Sequence, residues 1–168
     1  VHGRSITVME VNLTASGADL AEVYYTDDTT IAPGEIVSLN GLLETGGGIK
    51  RSTSAYDKNA IGVVSTKPGL VISAKEQSGT PVVVALAGRV PVKVNDENGP
   101  IQVGDYLTPS SVPGVAMKAT KAGAVIGKAL SSYDGTRAPK VIMFVQNGQF
   151  NGSNLMSEEL SGGETLAW

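Results

Sequence analysis

The segment PGEIVSLNG (Pro33 to Gly41) is followed seventy residues later by VGDYLTPSS (Val103 to Ser111). Each sets a glycine and an acid before alternating apolar positions, then small polar residues. The echo continues downstream, into IKRSTS and GVAMKAT, and then into AIGVVS and AVIGKALSS. From Gly34 to Gly62 is 28 residues and from Gly104 to Gly127 is 23; the difference of five falls in the loop Gly41 to Gly48. Turn chemistry alone makes Gly-acid openings recur in β proteins. Three pieces recurring in one order point instead to duplication. Neither half alone covers its apolar face, so two related β units should pack about a pseudo-twofold axis, over about residues 31–66 and 101–132.

Between the repeats, and within them, β-branched runs such as SITVMEVNL, PVVVALAG, RVPVKV and KVIMFVQNG are separated by turn residues. Short strands at close spacing predict an all-β fold, a compact β-barrel or sandwich. Pro91 inside RVPVKV marks an edge strand or a bulge. Asn98-Gly99 reads as the tip of a hairpin joining RVPVKV to IQVGDYL. Two stretches have helical character: Gly17 to Tyr25, for a turn or two, and Ser153 to Gly163, with Ser153 as N-cap and a glycine stop. The chain therefore divides into an N-terminal strand or extension (1–16), a β domain (17–147) and a polar C-terminal tail (148–168).

Chemistry is narrowed sharply by what is missing. There is no cysteine and one histidine, His2, which removes disulfides, thiol nucleophiles and Cys/His zinc sites. No metal and no cofactor is expected. A net charge of −3 offers no general attraction for nucleic acid. No apolar run reaches the length of a membrane span. The start at Val1, without Met or a signal-like run, reads as a processed or excised end.

The densest acids are Asp19, Glu22, Asp27 and Asp28. Paired carboxylates serve general acid/base work or hold a cation, but a capping Asp19 and a solvated TDDT turn account for them. Ser5, after HGR, is the candidate nucleophile against the Arg4–Ser5 bond, with Glu10 or Asp19 to carry the proton; it reads more simply as a strand-opening serine. Tyr56 in SAYDKN and Tyr133 in SSYDG sit near corresponding points of the repeats. They would present sugar-binding rings, or else pack in turns. The chain is read as a non-enzyme.

GADLAEVYYTDDTTIAPGEIVSLN, AIGVVSTKPG, GRVPVKV, GPIQVGDYLTPSSVPGVAMKA and VIGKALSS, taken in order, resemble the C-terminal domains of phage appendage and tail-spike proteins and of bacterial surface fibre proteins. The resemblance spans Gly17 to Asn147. It implies a homo-oligomeric β domain on a virion or cell-surface fibre, so an extracellular location. Some members of that family are intramolecular chaperones that cleave themselves off with a serine and nearby acids; Ser5, with Glu10 or Glu22, would stand in those places. No cleavage motif matches residue by residue. The expected partner is a second copy, with a cell-surface glycan as a further candidate. Detachable terminal segments pair well with a neighbour's sheet edge, which makes Ile6, Val8, Val11, Leu13, Leu166 and Trp168 the intersubunit candidates.

Overall fold

The computed structural model describes residues 19–43, 47–73 and 76–152. Ser5, Ile6, Val8, Glu10, Val11, Leu13, Leu166, Trp168 and the helix expected over 153–163 lie outside the described residues.

The fold is all-β. Among the described residues ten strands make one curled sheet: β1 (Asp19–Thr26), β2 (Ile36–Leu39), β3 (Ile49–Arg51), β4 (Ala60–Val64), β5 (Leu70–Ile72), β6 (Thr80–Lys93), β7 (Tyr106–Pro109), β8 (Ala116–Lys118), β9 (Gly123–Ala129) and β10 (Lys140–Phe150). The main path runs β3-β2-β4-β6-β10-β9-β7-β8. Read inward from either end the order is the same: a three-residue strand, the strand after the Gly-acid turn, a glycine-bearing strand, then a long one.

The likeness takes in one more strand on each side. β1 lies antiparallel to the first part of β6, and the last part of β6 lies antiparallel to β10. Each ring then closes through a single parallel bridge, Tyr25 to Gly48 and Val94 to Ala116. Two rings of five strands result, β1-β6-β4-β2-β3 and β6-β10-β9-β7-β8, with β6 common to both. Gly88 is the crossing point: it pairs with Asp19 of one ring and Val145 of the other, at a φ of +100°. A side chain there would be strained by the left-handed backbone.

The repeated opening is one turn built twice. Ala32 to Glu35 and Gln102 to Asp105 each close a β-turn, with Glu35 N–H donating to Ala32 O (3.2 Å) and Asp105 N–H to Gln102 O (3.1 Å). The third residue is glycine with φ +82° at Gly34 and +92° at Gly104, as a type II turn requires. Each glycine N–H then reaches the end of its unit's third strand, Val64 O at 2.9 Å and Ala129 O at 2.8 Å. Local turn chemistry and duplication are therefore both present in the echo.

One core cluster joins Val90, Val92, Val94, Leu107, Ala129, Val141 and Met143 of the second ring to Ile36, Val63 and Ala85 of the first. A smaller one joins Val37, Ile49, Val64 and Val84. Both faces of the first ring's central strands are thus buried, which locks its register.

Three local expectations change. Asp19–Thr26 is a strand, not a helical turn, because eight cross-strand pairs to β6 outweigh the helix propensity of Leu20, Ala21 and Glu22. Asn98-Gly99 does form a turn, with Gly99 N–H on Asp96 O at 2.8 Å, but its flanks do not pair: Val94 bridges Ala116 and Ile101 bridges Tyr133. β10 continues through Gly148, Gln149 and Phe150, where the polar tail was expected to begin. Pro91 sits opposite Ile142, whose backbone groups both engage the β9 side through Leu130 N–H and Ser131 Oγ. The missing N–H of proline therefore costs the β6–β10 ladder nothing.

Candidate assembly surface

β5 is a three-residue strand attached only through β1, in parallel register: Leu20 with Leu70, Ala21 with Val71, Glu22 with Ile72. Successive side chains of a strand point to opposite faces. Yet Leu70, Val71 and Ile72 are 52%, 40% and 51% exposed, and Leu20 beside them is 37% exposed. Three consecutive aliphatic residues, open on both faces of a strand with no second neighbour among the described residues, form a sheet edge suited to further pairing.

The acids of the N-terminal strand do not come together. Glu22 accepts the Tyr24 hydroxyl at 3.1 Å, and Asp28 pairs with Arg51 Nη1 at 3.0 Å. Asp19 is buried at the head of β1, pairing with Gly88 and accepting Gly69 N–H on its carbonyl at 3.0 Å. Asp19 Oδ2 and Ser65 Oγ each lack a well-formed hydrogen bond. No cluster of metal-ligating side chains occurs among the described residues.

Burial pushes the Asp19 carboxyl above its ordinary range, partly offset by the nearby Ser65 hydroxyl. The folded chain then holds this proton more tightly than the unfolded one. Its contribution to stability is full below the ordinary carboxylate value of 3.8 and is lost as pH rises through the raised value. Asp19→Asn is expected to raise Tm at neutral pH by about 2–4 °C. Thermal scans should show that gain shrinking as pH falls through the raised value and gone below the ordinary 3.8; a gain independent of pH would refute the assignment.

The tyrosine pair is also separated. Tyr133 is buried, bridging Ile101 in the larger core. Tyr56, at a φ of +55°, accepts Thr120 N–H (2.9 Å) and Lys121 N–H (3.2 Å) on its hydroxyl. One precedes its unit's third strand and the other follows it, so they are not equivalent.

The Gly-acid turns carry the electrostatic structure that sequence reading missed. Glu35 Oε2 accepts Ala32 N–H and Arg51 Nε, both at 2.9 Å, and Oε1 accepts Lys93 Nζ at 3.0 Å. Asp105 repeats it in reduced form, with Gln102 N–H at 2.8 Å and Lys118 Nζ at 3.2 Å. Burial works to raise the Glu35 carboxyl, but the Ala32 N–H, Lys93 and Arg51 together bring it below its ordinary value. The acid of each opening thus ties a turn to its unit's three-residue strand, and Glu35 also ties in β6.

A two-ring, all-β domain of this kind has counterparts among solved structures. No family model and no curated protein matches the sequence. The crystal structure of the bacteriophage phi29 gene product 12 C-terminal fragment is similar at TM-score 0.51 and 16% identity, covering 76% of this chain and 100% of that one. The pre-mature bacteriophage phi29 gene product 12 is similar at TM-score 0.53 and 15% identity, covering 78% of this chain and 22% of that one. At these identities the likeness is one of fold.

Proposed function

We propose that this chain is a structural assembly domain of a phage-type appendage or extracellular fibre, and that copies of it join through the β5 edge. The carrying observation is the open aliphatic strand Leu70, Val71 and Ile72. An added strand would satisfy its outer backbone groups and set apolar side chains beside those of β5 on each face. The run Ser5 to Leu13, with Ile6, Val8 and Val11, has the composition of such a strand. The fold shared with phi29 gene product 12 supports the phage-type setting, and so a virion-associated location. Such a joint needs no catalytic step. The alternative of self-cleavage near Ser5 rests on residues outside those described, apart from Asp19 and Glu22.

Light scattering across dilution tests the joint. The full chain should run as an oligomer, and Ile72→Lys should shift it to monomer while leaving Tm within about 2 °C, as an exposed substitution does. A monomeric parent chain, or an Ile72→Lys oligomer of unchanged mass, would remove β5 as the interface.

A further inference from the structure

On the outer surface of the second ring, four strands contribute one line of alternating cations and rings. Arg89 of β6 stands opposite Phe144 of β10, Phe144 opposite Lys128 of β9, and Lys128 opposite Tyr106 of β7. Directly paired residues lie side by side on one face of a sheet. That face is the solvent side: Val141, Met143 and Val145 fill the core, while Phe144 between them is 41% exposed. Lys128 Nζ lies 4.7 Å from the centre of the Tyr106 ring, and Phe150 supports that ring at 5.3 Å. Tyr56 packs on the same cluster of Ala119, Val125 and Phe150, with Lys121 Nζ 5.0 Å from its ring. The sequence order Arg89, Lys121, Lys128 does not show this arrangement.

Among the described residues none of these three cations has a carboxylate partner. The acidic chain therefore gathers unpaired positive charge beside one exposed ring, Phe144, and the half-buried rings of Tyr106 and Tyr56. Ring faces stack against the C–H faces of sugars, and cations take carboxylates. Arg89 and Lys128 are two strands apart, about 9.5 Å at ordinary strand spacing. That separation suits a polymer charged on alternate units. A nucleic-acid duplex, with a phosphate about every 3.4 Å of axis on each strand, would leave most of its charge unmatched here, over a protein whose net charge is already −3.

We propose that the Arg89–Phe144–Lys128–Tyr106 line binds an acidic polysaccharide carrying one carboxylate per disaccharide. It uses no residue of β5 and stands apart from the assembly reading. Hyaluronan oligosaccharides are the probe, titrated calorimetrically into the full chain, with dextran and oligo-dT beside them. Hyaluronan should bind, more weakly as salt rises, and dextran should not. The double variant Arg89→Ala/Lys128→Ala should weaken binding about tenfold, and Phe144→Ala by a similar factor. Lys128→Arg should retain it. Binding of hyaluronan no tighter than dextran, indifference to the double variant, or tighter binding of oligo-dT would each overturn the proposal.

Discussion

Gly127→Val is expected to leave little folded protein. Gly127 lies in β9 between Leu107 of β7 and Val145 of β10. A Cβ placed on it would fall inside the contact distance of the Phe144 carbonyl oxygen and 2.9 Å from Met143 Cγ. The oxygen belongs to a backbone fixed on both sides by ladders, so it cannot swing away as a side-chain tip can. Overpacking at such a point costs about 3 kcal/mol or more, a large part of the 5–15 kcal/mol that holds a typical domain. Gly62 occupies the same place in the first ring, where a Cβ would press on the Ala85 carbonyl and stand 2.8 Å from Val84 Cγ1. Gly62→Val should behave alike. Gly148 has open space around its Cβ position, so Gly148→Ala should change stability by less than about 0.5 kcal/mol. Urea unfolding, or soluble yield where the variant fails to accumulate, separates these cases. A Gly127→Val midpoint equal to that of the parent chain would show that the strands are not packed this closely.

These two glycines show what sequence can and cannot tell. Gly62 and Gly127 were visible as landmarks of the repeat, and so were Gly34 and Gly104, because turns and close approaches leave a glycine in the text. The strand that precedes the first unit was not visible. Asp19 to Thr26 is made of residues that favour helix as much as strand, and its fate is decided by β6, some sixty residues away. The polar triplets Thr26-Asp27-Asp28 and Asn95-Asp96-Glu97, standing a similar distance ahead of Gly34 and Gly104, were the available sign. Bridges such as Tyr25 to Gly48 leave no sign at all. The β5 edge was legible as an apolar run, but its exposure depends on which strands failed to flank it. The Arg89–Phe144–Lys128–Tyr106 line depends on three registers together, and a one-residue slip in any would dissolve it.

Glu35→Ala should be the most damaging substitution of a charged residue among those described. One carboxylate there serves a backbone N–H and two cations, and its side chain is 11% exposed. Removing it leaves the Ala32 N–H and the Arg51 Nε–H without their acceptor, while the rest of the guanidinium keeps Asp28 and the Thr30 carbonyl. Full burial of both partners would make the loss 3–5 kcal/mol. Arg51 and Lys93 are 21% and 40% exposed and regain water, so about 2 kcal/mol is the better figure, or about 4–8 °C in Tm. Asp105→Ala removes one cation and one N–H acceptor and should cost about half as much. The pH dependence carries the sharper test. Glu35 is held below its ordinary value of 4.5 in the fold, so its stabilisation is present above that value and disappears as pH falls through the lowered one. Asp19 runs the opposite way. Glu35→Gln should therefore flatten the acid limb of the stability curve, whereas Asp19→Asn should mainly raise its neutral plateau. If Glu35→Gln instead left the acid limb unchanged, the carboxylate would be making these contacts without being ionised by them, and the turn rather than the charge would be what the acid of the repeated opening is there to hold.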